Sequence, residues 1–156
     1  MVDESALAEA IATGRVRAVL DVWENEPAID GELVRQVELA TPHIAGYSFD
    51  GKVNGTLMIY QAVCRFLGAE PQWDPRPGLP KPELSEIACD PAGRTDQDVV
   101  RDLVKRVYDI EADDARLRMI LDQPPADRGR YFDQLRKQYP VRREFHNTRV
   151  TFTSPP

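Results

Sequence analysis

Residues 20–47, LDVWENEPAIDGELVRQVELATPHIAGY, determine how the rest of the chain is interpreted. A short apolar run leads to Asp21, and Glu26 follows directly before Pro27. His43 comes later, after Thr41-Pro42. One carboxylate beside one imidazole is the minimum for general acid–base catalysis, because the carboxylate fixes the tautomer of the ring. The spacing does not force contact, so an exposed Glu26 and a loop His43 are the alternative.

The segment before this stretch has the pattern of half a βαβ unit. Asp3 is a suitable N-cap for a helix over 4–13, and Gly14 is a suitable stop. Residues 15–22 predict a strand that is apolar on both faces, as buried parallel strands are. One strand leaves a sheet incomplete, so we expect the chain to be a portion of a larger α/β domain.

After this stretch, capping residues divide the chain into helices. Asp30 predicts a helix over 31–37, and Asp50 predicts a long helix that ends at Gly68. The apolar stripe of the long helix is interpreted as packing; its members are Leu57, Ile59, Tyr60, Val63, Cys64 and Phe66.

A proline-rich stretch over 70–82 predicts an extended linker, because this density of proline prevents an α-helix. We therefore predict a first domain at 1–69 and a second at 83–156. The second should contain a strand within 83–89, a helix over 97–110 capped by Asp96, a helix opened by Asp113-Asp114, a helix starting at 127 or 128, and a strand over 150–152.

Composition excludes several classes of function. A net charge of −6 argues against general nucleic-acid binding, which needs a basic face. No long apolar run predicts a membrane span and no signal-peptide pattern is seen, so a cytoplasmic location is expected. Cys64 and Cys89 fit no metal-ligand spacing, and no metal site is predicted.

The motifs LDVWENEP, TPHIAGYS and the helix start Asp50-Gly51-Lys52 resemble the D-isomer-specific 2-hydroxyacid dehydrogenases. The resemblance extends over about residues 2–145. It implies an α/β fold, with a C-terminal remnant of a Rossmann-type nucleotide-binding domain followed by a small α+β dimerisation domain. The second part carries the resemblance through Val107-Tyr108-Asp109-Ile110, Asp113-Asp114, Leu117-Arg118, Phe132-Asp133, Leu135-Arg136-Lys137, Tyr139 and Arg142-Arg143-Glu144.

The resemblance also implies roles for five residues. His43 is expected to be the acid–base residue and Glu26 the carboxylate that assists it. Asp21 and Gly46 are expected to contact NAD, Asp21 at the nicotinamide carboxamide, and Tyr47 is expected to contact substrate. From the residues alone, a turn former at the start of a loop is the preferred interpretation of Asp21. Without the resemblance, the basic residues Arg136, Lys137, Arg142 and Arg143 would be interpreted as a solvated face.

Within the family, the linker and the second domain resemble a branch that oxidises 4-phospho-D-erythronate with NAD during pyridoxal phosphate biosynthesis. The implied partner is a second copy of the chain, bound through 83–156. Another 2-hydroxyacid specificity is disfavoured, since simpler relatives lack this second domain.

Three parts that the family needs are not found in this sequence. They are a Gly-rich strand-to-helix turn for the NAD pyrophosphate, an arginine for the substrate carboxylate, and a separate substrate domain. Because a carboxylate anchor supplies both binding and orientation, we predict that the isolated chain does not turn over. The alternative is a standalone dimerisation or interaction module without catalytic activity.

Overall fold

The computed structural model describes residues 2–154 and is a mixed α/β structure. Its helices and strands, in chain order, are α1 (Glu4–Ala12), β1 (Val19–Leu20), α2 (Gly31–Gln36), β2 (Leu39–Ala40), α3 (Phe49–Leu67), β3 (Glu86–Cys89), α4 (Asp96–Val107), α5 (Ile110–Arg118), α6 (Arg128–Lys137) and β4 (Arg149–Phe152). Single 3-10 turns lie at Arg76–Gly78, Met119–Asp122, Pro125–Asp127 and Phe145–Asn147.

The chain divides into two compact units. The first contains the residues up to 45 together with 109–140, and the second contains 46–108 and the residues from 141 on. Each unit combines segments from both sides of the proline-rich stretch, so the units do not coincide with the predicted domains. The boundaries at 1–69, 70–82 and 83–156 stay a prediction.

In the first unit, α1 and α2 begin where their caps predict. The carboxylate of Asp3 accepts a hydrogen bond from the Ala6 N–H at 2.9 Å, and Asp30 accepts one from Glu32. Gly14 follows α1 with a φ of +69°, a left-handed conformation that suits glycine. Both helices are therefore set by local chemistry.

The predicted strand over 15–22 is wrong in extent. Only β1 is regular, and it pairs in parallel with β2, with Val19 opposite Leu39 and Leu20 opposite Ala40. β2 was not predicted, because two residues give no alternation of apolar and polar side chains.

Helices from the far end of the sequence cover this small sheet. Leu117, Ile120 and Phe132 are fully buried. They share one hydrophobic core with Trp23, Ile29, Leu33, Val34, Val37 and Ala40. The burial of Trp23 confirms that it is a packing residue. The N-terminal segment of the first unit therefore packs its buried apolar residues against α5, α6 and the turn between them.

In the second unit, the cap of α3 is Ser48, whose hydroxyl accepts a hydrogen bond from the Gly51 N–H at 3.0 Å. The prediction that Asp50 is the cap is wrong, because Asp50 lies inside the first turn and binds Arg143. Gly68 ends the helix with a φ of +66°, as predicted.

The apolar stripe of α3 is only partly packing. Leu57 and Cys64 are buried, but Ile59 is 68% exposed and Phe66 is 88% exposed. Met58, Val63 and Leu67 are exposed too. Periodicity identified the helix correctly but not which of its apolar residues the chain buries.

The remainder of the second unit contains a short parallel pair. β3 and β4 align Glu86 with Arg149 and Cys89 with Phe152. Both strands were predicted, although β3 begins later than residue 83. The cap of α4 is Thr95 and not Asp96, since the Thr95 hydroxyl accepts the Asp98 N–H.

Candidate active site

Asp21 directly follows β1 and organises the loop that carries His43. Its Oδ1 accepts hydrogen bonds from the Thr41 hydroxyl and the Ile44 N–H, each at 2.7 Å. Its Oδ2 accepts one from the Ala45 N–H at 2.9 Å. Asp21 thus anchors the distant loop of His43, and its contact with a nicotinamide carboxamide stays a prediction.

Glu26 and His43 form a hydrogen-bonded pair. The Nδ1 atom of His43 lies 2.8 Å from Oε2 of Glu26, while Oε1 of Glu26 accepts the Trp23 N–H at 2.9 Å. The Glu26 side chain is 17% exposed and that of His43 is 44% exposed. The carboxylate is therefore held in place from the protein side, and the imidazole reaches solvent.

This pairing determines which ring nitrogen is available for chemistry. With Nδ1 engaged by a carboxylate, Nδ1 is the donor and Nε2 is the nitrogen that can exchange a proton with a bound molecule. The spacing of the two residues left their contact open, and the fold brings them together.

The backbone of His43 has a φ of +56°, which is uncommon for a residue with a side chain. Such a conformation costs of order 1–3 kcal/mol and persists only when its surroundings enforce it. Here the two following N–H groups, of Ile44 and Ala45, are both fixed by Asp21. The loop is thus built to present the imidazole in one orientation.

Gly46 and Tyr47 belong to the second unit and are described by their local surroundings. A Cβ atom built on Gly46 would have no heavy atom within 4 Å, so the space beside this glycine is open. The ammonium of Lys52 lies 4.0 Å from the centre of the Tyr47 ring. The roles predicted for both residues stay predictions.

Two acidic residues near Asp21 were not anticipated. Oε1 of Glu4 accepts the Glu24 N–H at 2.6 Å, and burial raises the pKa of Glu4 above its ordinary value. The nearby carboxylates of Glu24, Asp30 and Glu26 act in the same direction. An apolar cleft of about 440 Å³ lies beside them; it is lined by Val2, Glu4, Leu7, Leu20, Asp21, Val22 and Glu24. The sequence does not indicate that α1 lies beside this loop, because that contact depends on tertiary packing.

Within residues 2–154 there is no group of three His, Cys, Asp or Glu side chains that could hold a metal ion. In the same range, no helix has the length and apolar character required to cross a membrane. Cys64 and Cys89 are both buried thiols.

Comparison with known proteins identifies two matching regions. Residues 1–45 match the NAD-binding domain of the D-isomer specific 2-hydroxyacid dehydrogenases. Residues 79–155 match a domain of unknown function. The first match contains Asp21, Glu26 and His43, which supports a Rossmann-type remnant at this end of the chain.

Curated relatives match nearly the whole chain. An erythronate-4-phosphate dehydrogenase from Cellvibrio japonicus is 47% identical over 99% of this chain. Enzymes of the same name from Pseudomonas putida and Proteus mirabilis are 48% identical over 96% and 42% identical over 99% of it. The chain is a relative of the erythronate-4-phosphate dehydrogenases. This confirms the resemblance identified from the motifs.

The match has a limit on the side of the relatives. The chain spans 42% of the length of the Cellvibrio japonicus protein and 40% of the other two. It therefore matches a portion of each of these enzymes.

Proposed function

We infer that the chain is the acid–base portion of an NAD-dependent dehydrogenase that oxidises 4-phospho-D-erythronate to its 2-oxo acid in pyridoxal phosphate biosynthesis. The single observation that carries this inference is the 2.8 Å bond between Glu26 and His43. It supplies an oriented imidazole, which is what proton removal from a hydroxyl requires. The names of the relatives supply the substrate class.

In the proposed reaction, Nε2 of His43 takes the proton of the C2 hydroxyl while the C2 hydride leaves. NAD, when bound, supplies the acceptor for that hydride. Glu26 keeps Nδ1 as the donor and stabilises the imidazolium that forms. In the reverse direction, the same nitrogen returns the proton to the C2 oxygen, so His43 acts as base in one direction and acid in the other.

The local surroundings of Asp21 and of Gly46 each support a contact with the cofactor. Oδ2 of Asp21 accepts the Ala45 N–H, and a carboxylate oxygen has capacity for a further donor such as a carboxamide N–H. The open space beside Gly46 suits close approach of a ligand to the backbone. Tyr47 is proposed to contact the substrate. For the pyrophosphate, the sequence of 156 residues contains no Gly-rich fingerprint.

The isolated chain is therefore expected not to reduce NAD, and the test places the segment in a complete enzyme. In the chimera, residues 1–156 replace the matching part of the Cellvibrio japonicus relative. NAD reduction with 4-phosphoerythronate should be retained in the chimera and should fall about 10²- to 10⁴-fold in kcat on His43→Ala, the usual contribution of a general acid–base residue. A folded His43→Ala chimera with unchanged kcat would overturn the proposal.

A noncatalytic interaction module is the second candidate, and one observation favours it. The apolar residues Met58, Ile59, Phe66 and Leu67 of α3 are each at least 67% exposed, and contiguous exposed apolar patches commonly mark interaction sites. We also propose, in either case, a homodimer through 83–156; this proposal rests on the resemblance, since the exposed residues of α3 lie outside that segment. An inactive but folded chimera, together with a stable dimer of the isolated chain by light scattering, would favour the module over the enzyme portion.

A further inference from the structure

A hydrogen-bonded clamp on α5 grips the backbone that leads into the His43 loop. Oδ1 of Asp114 accepts the Ala40 N–H at 2.7 Å. Arg118 donates from Nη1 to the Val34 carbonyl at 2.7 Å and from Nη2 to the Val37 carbonyl at 2.9 Å. All these groups lie within the first unit.

The two clamp residues also hold each other. Nε of Arg118 lies 2.9 Å from Oδ1 and 2.8 Å from Oδ2 of Asp114, one helical turn earlier on α5. The side chains are 29% and 15% exposed. An arginine with a carboxylate at its Nε and carbonyls at its terminal nitrogens has little rotational freedom, so the clamp is a fixed geometric reference.

The groups that the clamp binds have no helical or strand partner of their own. The carbonyls of Val34 and Val37 lie at the C-terminal end of α2, where a helix leaves its last carbonyls unsatisfied. Ala40 is completely buried at the end of β2, and a buried N–H needs an acceptor. Asp114 and Arg118 satisfy all three groups and so fix where β2 ends.

The distance along the chain from this fixed point to His43 is short. Thr41 follows Ala40, and its N–H bonds to the Leu20 carbonyl at 2.9 Å. Its hydroxyl bonds to Asp21, which also holds the two residues after His43. The loop is thus anchored by α5 on its N-terminal side and by Asp21 on both sides of the imidazole.

We propose that Asp114 and Arg118 are positioning residues that set the register of His43 against Glu26, an inference that rests on the proposed function. The proposal gives the segment at 79–155, whose family model is described as a domain of unknown function, a part in the chemistry of the segment at 1–45. The contacts that carry this role all lie within one chain.

The first test uses the 156-residue chain itself. It contains two histidines, so nuclear magnetic resonance of the imidazole nitrogens gives one signal set for His43 and one for His146 as an internal reference. In mildly alkaline buffer, where an ordinary imidazole is neutral, His43 should favour the tautomer with the proton on Nδ1. Asp114→Ala should shift His43 towards the tautomer mixture of a free histidine side chain in the same buffer. Arg118→Lys should do so to a smaller extent.

The matched control is a helical ion pair in the same unit that lies outside the clamp. Lys137 and Asp133 are such a pair on α6, also four residues apart. Asp133→Ala should leave the His43 tautomer as in the unsubstituted chain. Circular dichroism melting of each variant verifies that it is folded at the temperature of measurement.

The second test repeats the variants in the chimera with the Cellvibrio japonicus relative. Asp114→Ala should lower kcat about 10- to 100-fold, the effect of misplacing a catalytic group from a distance, with KM within about threefold.

If His43→Ala has no effect on kcat, the proposed function fails. If His43→Ala abolishes activity but folded Asp114→Ala and Arg118→Lys match Asp133→Ala in tautomer and kcat, only the positioning role fails. If Asp114→Ala does not fold, Arg118→Lys decides alone, and an unchanged tautomer and kcat in that variant overturn the positioning role.

Discussion

Each unit contains a close pair of an acidic and a basic side chain. The two pairs have the same nitrogen–oxygen distance but differ in solvent exposure. Glu26 and His43 in the first unit, and Asp50 and Arg143 in the second, each have a closest nitrogen–oxygen distance of 2.8 Å. The side chains of the first pair are 17% and 44% exposed, whereas those of the second are 5% and 10% exposed. The distance between charges therefore does not separate a functional pair from a structural one.

What separates them is how many of their hydrogen-bonding atoms the protein already uses. Both oxygens of Asp50 accept from Arg143 at 2.9 and 2.8 Å, and they accept further bonds from Asn147 and the Glu144 N–H. Arg143 also donates to the carbonyl of Pro80. This bidentate pair is saturated, while the pair in the first unit leaves a ring nitrogen for a ligand. The basic-face interpretation of Arg143 is accordingly wrong.

The largest effect that would sharpen this contrast is on catalysis. In the chimera, Glu26→Gln should lower kcat by up to about 10⁴-fold, because an amide cannot stabilise the imidazolium or enforce its tautomer. The free energy of unfolding should change by about 1 kcal/mol, because an amide oxygen can still accept the Trp23 N–H while the bond to His43 is weakened. Steady-state kinetics and urea unfolding of the same preparation check both values, and a kcat within threefold of the unsubstituted chimera would contradict the assignment.

The next effect is on stability, at the buried pair. Arg143→Ala should lower the free energy of unfolding by about 3–5 kcal/mol, because it leaves the Asp50 carboxylate buried without its cation. Arg143→Lys should lose less, since a lysine keeps the charge but not the bidentate geometry. Urea unfolding followed by circular dichroism measures this. A loss below about 1 kcal/mol for Arg143→Ala would show that the pair is not a stabilising contact.

A smaller effect concerns pH. The hydrogen bond from Arg143 lowers the pKa of Asp50 well below its usual range, and the Glu144 N–H adds to this. A carboxyl whose pKa is lower in the folded state stabilises the fold above its unfolded pKa of about 3.9, and that contribution is lost as the pH falls. Between about pH 5 and pH 3, unfolding free energy should therefore fall more steeply in the unsubstituted chain than in Asp50→Asn. Parallel pH profiles would contradict this.

The smallest effect is expected at an exposed pair. Asp133 and Lys137 on α6 are 44% and 77% exposed and lie 4.0 Å apart. Lys137→Ala should change the free energy of unfolding by no more than about 0.5 kcal/mol, because solvent screens such pairs. The same urea titration provides the value, and a change above about 1 kcal/mol would mean that exposure is a poor guide in this protein.

The parts of the fold that the sequence predicted are those set by neighbouring residues. Asp3 and Asp30 cap their helices within three positions, and Gly68 ends α3 by its own left-handed backbone. Ser48 caps α3, whereas Asp50 lies inside the first turn and binds Arg143, 93 positions along the chain, which local sequence does not reveal.

In the candidate site, too, the sequence indicated some residues and only the fold revealed the others. The motifs around Glu26 and His43 indicated both residues, although only the fold shows their contact. Asp114 was not anticipated as a partner of this region, because its bond to Ala40 joins residues 74 positions apart. β2 was missed for the same reason, since its two residues are defined by pairing with β1 and not by a pattern of their own.

The most direct measurement is kcat for NAD reduction by the Glu26→Gln and Asp50→Asn chimeras, compared below the melting temperature of each. The account predicts a loss of at least about 10²-fold for Glu26→Gln and a kcat within threefold for Asp50→Asn. For the free energy of unfolding in urea the order should be reversed. Asp50→Asn should lose about 3 kcal/mol or more, and Glu26→Gln should lose less. Equal losses of kcat in the two variants, or a greater loss for Asp50→Asn, would contradict the division into a functional and a structural pair.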